Sequence, residues 1–180
     1  MYKYGKLRWA ALALAVSTIA ALMLAVSASA TPPPKLSFDA SNDGASAGWS
    51  RGNHSPIELT LGTSDGSFAE ITINRVEGTA VSTLSEPSFT TDNYGAGSPR
   101  YYITLSNGDS LWGYPSNSGL NGTDMAWSVD NGNSYESWSA AQSDEGDATV
   151  TGAYVIADAD QTSGTTDQIT NLTFGSTTFN

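Results

Sequence analysis

Few side chains in this chain can do chemistry, and most of those are carboxylates. There is one histidine, His54, and no cysteine. Without cysteine there is no disulfide framework, no thiolate metal site, no cysteine nucleophile and no lipid-modified cysteine. Gly62-Thr63-Ser64-Asp65-Gly66 carries the letters of the G-x-S-x-G nucleophile elbow. That elbow needs a strand-to-helix turn, whereas this stretch joins two alternating runs and has only His54 to serve as base. A serine hydrolase is therefore disfavoured, and a lone histidine also excludes the usual zinc sites. Gly95-Ala96-Gly97 lacks the Gly-Lys-Ser/Thr of a phosphate cradle.

Three arrangements keep chemical meaning. The first is the stretch 158–167, which places Asp158, Asp160 and Asp167 in one loop. Hard oxygen ligands on near-alternate residues suit calcium. It is not an EF-hand, because Ile169 stands where the bidentate glutamate should be. Asp39, Asn42 and Asp43 form a second oxygen-rich segment. Both also read as solvated turns, since Asp, Asn and Gly dominate turns for local reasons. The second arrangement is Glu58 and Glu70, expected on the wet faces of neighbouring strands. A glycosidase needs two carboxyl groups about 5–10 Å apart, one of them in an apolar setting. Two ordinary surface acids are the simpler reading.

The third is a hairpin. Asn107-Gly108 between two alternating runs is the strongest short-range hairpin signal. If Leu105 sits opposite Ser110, one face carries Tyr101, Ile103, Leu105, Trp112 and Tyr114 and turns inward. The other carries Arg100, Tyr102, Thr104, Asp109 and Leu111, with Tyr102 beside Gly113. An open aromatic ring flanked by Arg100 and Asp109 is the chemistry of a sugar platform, with CH groups on the ring and charged groups on the hydroxyls; the simpler reading is that aromatics favour strands and Tyr102 shields an edge. A slip of one residue would exchange the faces and put Trp112 outside.

These residues need strands to hold them. Leu36 and Phe38 begin the first, and 39–55 reads as a long polar loop. Ile57, Leu59 and Leu61, then Ala69, Ile71 and Ile73, alternate with polar residues and read as a hairpin. Val81 and Leu84 mark a weaker strand that Pro87 ends. Met125, Trp127 and Val129 alternate as far as Asp130-Asn131-Gly132. Asn133 and Glu136 have capping-box spacing, which predicts one short helix over 134–143. Residues 150–156 are nearly all apolar and read as a central strand. Ile169, Leu172, Phe174 and Phe179 close the chain around Gly175. The expected core is Ile57, Leu59, Leu61, Ile71, Ile73, Tyr101, Ile103, Leu105, Trp112, Trp127, Val155, Ile156 and Leu172.

The chain has 180 residues and a net charge of −11. Lys3, Lys6 and Arg8 precede an apolar run over 9–26, and Ala28-Ser29-Ala30 follows. This predicts a cleaved signal peptide at 1–30, a Pro-rich spacer at 31–35 and one domain at 36–180, exported to the cell surface or medium. Residues 31–180 keep Lys35, Arg51, Arg75 and Arg100 against 18 acids, a net −14. Such a surface repels nucleic acid and anionic membranes. Leu, Ile, Val and Phe are scarce enough there to suggest disorder, but fifteen aromatic residues in period-two order decide for a folded chain.

Asp167-Gln168-Ile169-Thr170-Asn171-Leu172-Thr173-Phe174-Gly175 resembles the closing strand of secreted jelly-roll domains, among them carbohydrate-binding modules of the galactose-binding-like kind. Tyr94-Gly95-Ala96-Gly97-Ser98-Pro99-Arg100 resembles a loop of secreted bacterial proteins, many of them actinobacterial. The likeness covers 90–180. It implies a β-sandwich, often with a structural calcium and often without catalysis. The chain departs from binding modules in lacking an obvious row of exposed tryptophans.

The expectation is an all-β antiparallel sandwich of jelly-roll type with one short helix. Its expected function is non-catalytic binding of a glycan or cell-envelope polymer through Arg100, Tyr102 and Asp109. A structural or adhesive surface protein is the alternative, and a glycosidase or lyase the third reading.

Overall fold

A computed structural model describes residues 33–180 apart from 53, 116–124, 133, 159 and 161–163. The expected signal peptide lies outside the described residues, as do the start of the spacer and four positions of the 158–167 loop. Alternating sequence gives the strands β1 (Lys35–Ala40), β2 (Ser46–Arg51), β3 (His54–Thr60), β4 (Phe68–Asn74) and β5 (Ser88–Thr91). There follow β6 (Arg100–Leu105), β7 (Ser110–Pro115), β8 (Met125–Val129), β9 (Val150–Asp158), β10 (Thr166–Phe174) and β11 (Thr177–Phe179). One helix, α1 (Trp138–Glu145), lies between β8 and β9.

The strands form two antiparallel sheets. The first runs β1, β4, β9, β6, β7, β8, and the second runs β11, β10, β3, β2 with β5 also paired to β10. The described residues therefore form an all-β sandwich with a single short helix. The chain crosses between the sheets repeatedly, as a jelly roll does, and β6, β7 and β8 add an up-and-down meander. β9 is central, as its apolar run requires.

Period two puts every second residue between the sheets. Ile71, Ile73, Tyr101, Ile103, Leu111, Trp127 and Val155 enter from the first sheet, and Ile57, Leu59, Ile169 and Leu172 from the second. Tyr101 is fully buried, and an unpartnered buried hydroxyl would cost about 1–3 kcal/mol. Its OH instead donates to the Thr173 carbonyl of the opposite sheet at 2.5 Å. Trp127 packs on Tyr101 and on Trp138, with ring centroids 6.1 and 4.6 Å away. Gly113 lies opposite Trp127, and a Cβ there would come within 2.8 Å of the indole ring.

Several expectations need correction. Ile57, Leu59 and Leu61 do not form a hairpin with Ala69, Ile71 and Ile73, because β3 and β4 belong to different sheets. Their apolar faces meet across the core rather than side by side. The connection is held by Asp43, whose carboxylate accepts from the Ser64 N–H and from the Ser41, Ser64 and Ser67 hydroxyls. A Cβ on Gly62 would overlap that carboxylate, so only glycine passes there. The 39–55 segment is not all loop, since it contains β2. Val81 begins a 3-10 turn at Val81–Thr83, capped by Leu84, rather than a strand. The helix starts four residues later than expected. Glu136 is held in β-pairing with Trp127 (N···O 3.0 and 2.8 Å), so Ser137 becomes the cap and accepts from the Ala140 N–H. Trp112 and Ile156 are half-buried on the outer face, not core residues.

Candidate functional site

The outer face of the first sheet depends on the β6–β7 turn. Leu105 pairs with Asp109 rather than Ser110, its N–H bonding the Asp109 carbonyl at 2.9 Å. Gly108 takes φ 99°, which closes a three-residue loop in which glycine supplies the positive φ. Every β7 partner therefore shifts by one. Tyr102 faces Trp112, Ile103 faces Leu111, and Tyr101 faces Gly113. Leu111 goes into the core, and Trp112 comes out beside Tyr102.

β9 lies on the other side of β6 and places Tyr154 opposite Tyr102. Tyr154, Tyr102 and Trp112 thus occupy one row across three strands. Their centroids are 5.8 and 4.5 Å apart, with planes inclined at 26° and 34°. At the usual strand spacing the strip is about 10 Å wide. Tyr154 lies along its strand over Gly152, where a Cβ would meet its hydroxyl at 2.7 Å. Trp112 donates its ring N–H to Ser110 Oγ at 3.0 Å.

The next row holds Arg100, with Ile156 opposite it. The Arg100 guanidinium sits 5.5 Å from the Trp112 ring centroid, a cation–π distance. It also forms the one ion pair among the described residues, with Asp158. Beyond it, Tyr114 meets Tyr135 edge to face at 5.5 Å and 88°. These rings help line a cleft of about 330 Å³ together with Tyr94, Ser98, Pro115 and Ala126. The Tyr114 hydroxyl donates to Asn131 Oδ1. Burial raises the Tyr114 pKa, and the Arg100 charge partly offsets this.

Of the expected site residues, Arg100 and Tyr102 do share a face. Asp109 does not join them. It sits in the turn and accepts from Asn107 Nδ2 at 2.6 Å, and Asn107 also donates to Glu145 at 2.7 Å. Asp158, expected as a calcium ligand, is the partner of Arg100. Asp160 is exposed, and Asp167 is buried on the core side of β10. Among the described residues no three histidine or acidic side chains gather where a metal could sit. Asp43 of the second oxygen-rich segment spends its carboxylate on serine donors, which hold its pKa well below the ordinary value.

Glu58 and Glu70 are not on neighbouring strands. Glu58 and Glu70 lie on outward positions of opposite sheets, and sheet faces alone pack about 10 Å apart. Ser64 of the G-x-S-x-G letters donates to Asp43 in a sheet crossing with no elbow. One unexpected acid is Glu136, whose buried Oε1 has no hydrogen-bond partner among the described residues. Burial first, then Asp144 and Glu145, raises its pKa.

Reading residues alone missed Trp112, Tyr154, Tyr114, Tyr135 and Tyr94 as neighbours. Trp112 and Tyr114 were legible through the one-residue slip. Tyr154 was hidden in a run that looks apolar throughout. No protein-family model, curated protein or solved structure matches the chain.

Proposed function

We propose that the chain is an exported, non-catalytic module that binds a glycan or cell-envelope polymer on the outer face of its first sheet. The observation that carries this reading is the row of Tyr154, Tyr102 and Trp112, with the pair of Arg100 and Asp158 beside it. Half-buried rings offer CH-accepting surface, and the ion pair offers a donor and an acceptor for hydroxyls. Export is supported by the basic start, the apolar run and Ala28-Ser29-Ala30.

A structural or adhesive surface protein is the second reading, and one observation favours it. Rings 4.5 Å apart spend part of their faces on each other, which stabilises neighbouring strands without any ligand.

A depletion assay separates the two. The purified protein is mixed with insoluble cellulose, chitin, xylan or peptidoglycan, and the fraction left in solution is measured. Selective depletion on one polymer, lost in Tyr102→Ala while the fold is retained, supports the binding module. No depletion on any of them supports the structural reading.

A further inference from the structure

We propose that the cleft between Tyr94, Tyr114 and Tyr135 is an aromatic box for a quaternary ammonium cation, separate from the strip formed by Tyr154, Tyr102 and Trp112. Tyr114 and Tyr135 stand at 88° with centroids 5.5 Å apart, so they form two perpendicular walls. Tyr94 contributes to the lining, and Pro115 and Ala126 leave the floor apolar and small. Among the described residues, no charged side chain lines the cleft. Its volume of about 330 Å³ accommodates a trimethylammonium group with a short tail.

Two polar groups of the walls are already engaged. Ser98 Oγ accepts from the Gly95 N–H at 3.0 Å and donates to the Gly95 carbonyl at 2.7 Å. The Tyr114 hydroxyl donates to Asn131. A sugar or a primary ammonium needs several directed polar partners, and Ser98 and Tyr114 are already committed elsewhere. A quaternary ammonium has no N–H to satisfy and is attracted by ring faces alone. The charge environment agrees. Asp92, Asp130 and Glu136 lie within a few residues of the box or its bonding partners, and the chain carries −11 overall. Arg100, whose charge acts on Tyr114, is held by Asp158. An anion finds no free partner in this set, and a cation meets no net repulsion.

The test is calorimetric titration of the purified protein with choline chloride, and with 3,3-dimethylbutan-1-ol, its uncharged carbon isostere. Choline should bind about tenfold more tightly than the isostere, as cation–π attraction in a partly desolvated box requires. Tyr135→Ala should weaken choline by about tenfold and Tyr135→Phe by less than about threefold, because the ring face is what matters. Tyr135 is 62% exposed, so neither substitution threatens the fold. Trp112→Ala should leave choline affinity unchanged, which keeps this site distinguishable from the polymer face. Phosphocholine carries the same head with an anionic end and should bind more weakly than choline. Equal affinity for choline and the isostere, no choline binding, or tighter binding of phosphocholine would each overturn the proposal.

Discussion

On the outer face of the second sheet, Gly48, Glu58 and Gln168 lie in one row and Ser46, Thr60 and Thr166 in the next. On the outer face of the first sheet, the rows hold Tyr154, Tyr102 and Trp112, then Arg100 and Ile156. Both faces meet water, and both sheets bury apolar inner faces, with Asp167 a buried acid on that of the second. The polar face is what a sandwich needs to be soluble. The aromatic face leaves apolar area in water, at about 25 cal/mol per Å². Mutual stacking offsets part of that cost, and a ligand on the rings would offset the rest. The difference is the reason the proposed binding face lies on the first sheet and not on the second.

The largest effect expected from breaking this contrast lies just under the aromatic face. Gly113→Ala pushes a methyl into the Trp127 ring and should lower stability by about 1–3 kcal/mol in urea unfolding. Gly48→Ala in the second sheet meets nothing within 4 Å and should be neutral or stabilising by up to about 1 kcal/mol. Equal effects would mean that Trp127 can retreat and that the two sheets are packed alike.

Ligand retention should follow the same division. Trp112→Ala should weaken polymer binding by about tenfold, equivalent to 1.4 kcal/mol, and Gln168→Ala should not change it. Loss in both variants would spread the site over both sheets and end the distinction.

Acid should also act where the chain crosses between the sheets. The native pKa of Asp43 is depressed below its ordinary 3.8 by serine donors. Its contribution is therefore present above that value and lost as pH falls through and below it. Asp43→Asn should lower the melting temperature at pH 7, and the difference should shrink below about pH 4. A pH-independent difference would show that the charge is not what the serines hold.

The smallest effect is expected at Glu136, on the edge of the aromatic sheet. Its pKa is raised above 4.5, so the ionised form costs stability at neutral pH and the cost disappears in acid. Glu136→Gln should raise the melting temperature slightly at pH 7 and leave it unchanged at pH 4. A fall at pH 7 would reveal an acceptor role for the carboxylate.

Much of the fold was legible locally. The runs at Ile57, Ile71, Tyr101, Trp127 and Val155 alternate because one face of each strand is buried, and each became a strand with those residues inside. Arg100 and Tyr102 stayed on the expected face, because the parity of β6 is fixed by Tyr101 and Ile103. The partner strand was less secure. Ser106-Asn107-Gly108-Asp109 permits a three- or a four-residue loop, and that choice moves Trp112 from core to surface. Glu58 and Glu70 were misplaced for a different reason. Their places depend on which strands become neighbours, and Gly62-Thr63-Ser64-Asp65-Gly66 looks equally suited to a hairpin turn and to a crossing between sheets.

The sequence by itself determined that this chain makes strands, which face of most of them is apolar, and that its charge is strongly negative. Those properties follow from the side chains and a period of two, which each segment carries alone. Only the tertiary structure decided the β7 register, the sheet to which β3 and β4 each belong, and the meeting of Tyr154, Tyr102 and Trp112. The first hangs on a single turn and the others on segments distant in sequence; all are settled by how the whole core closes, and a shift of one residue in a pairing turns a face from solvent to core.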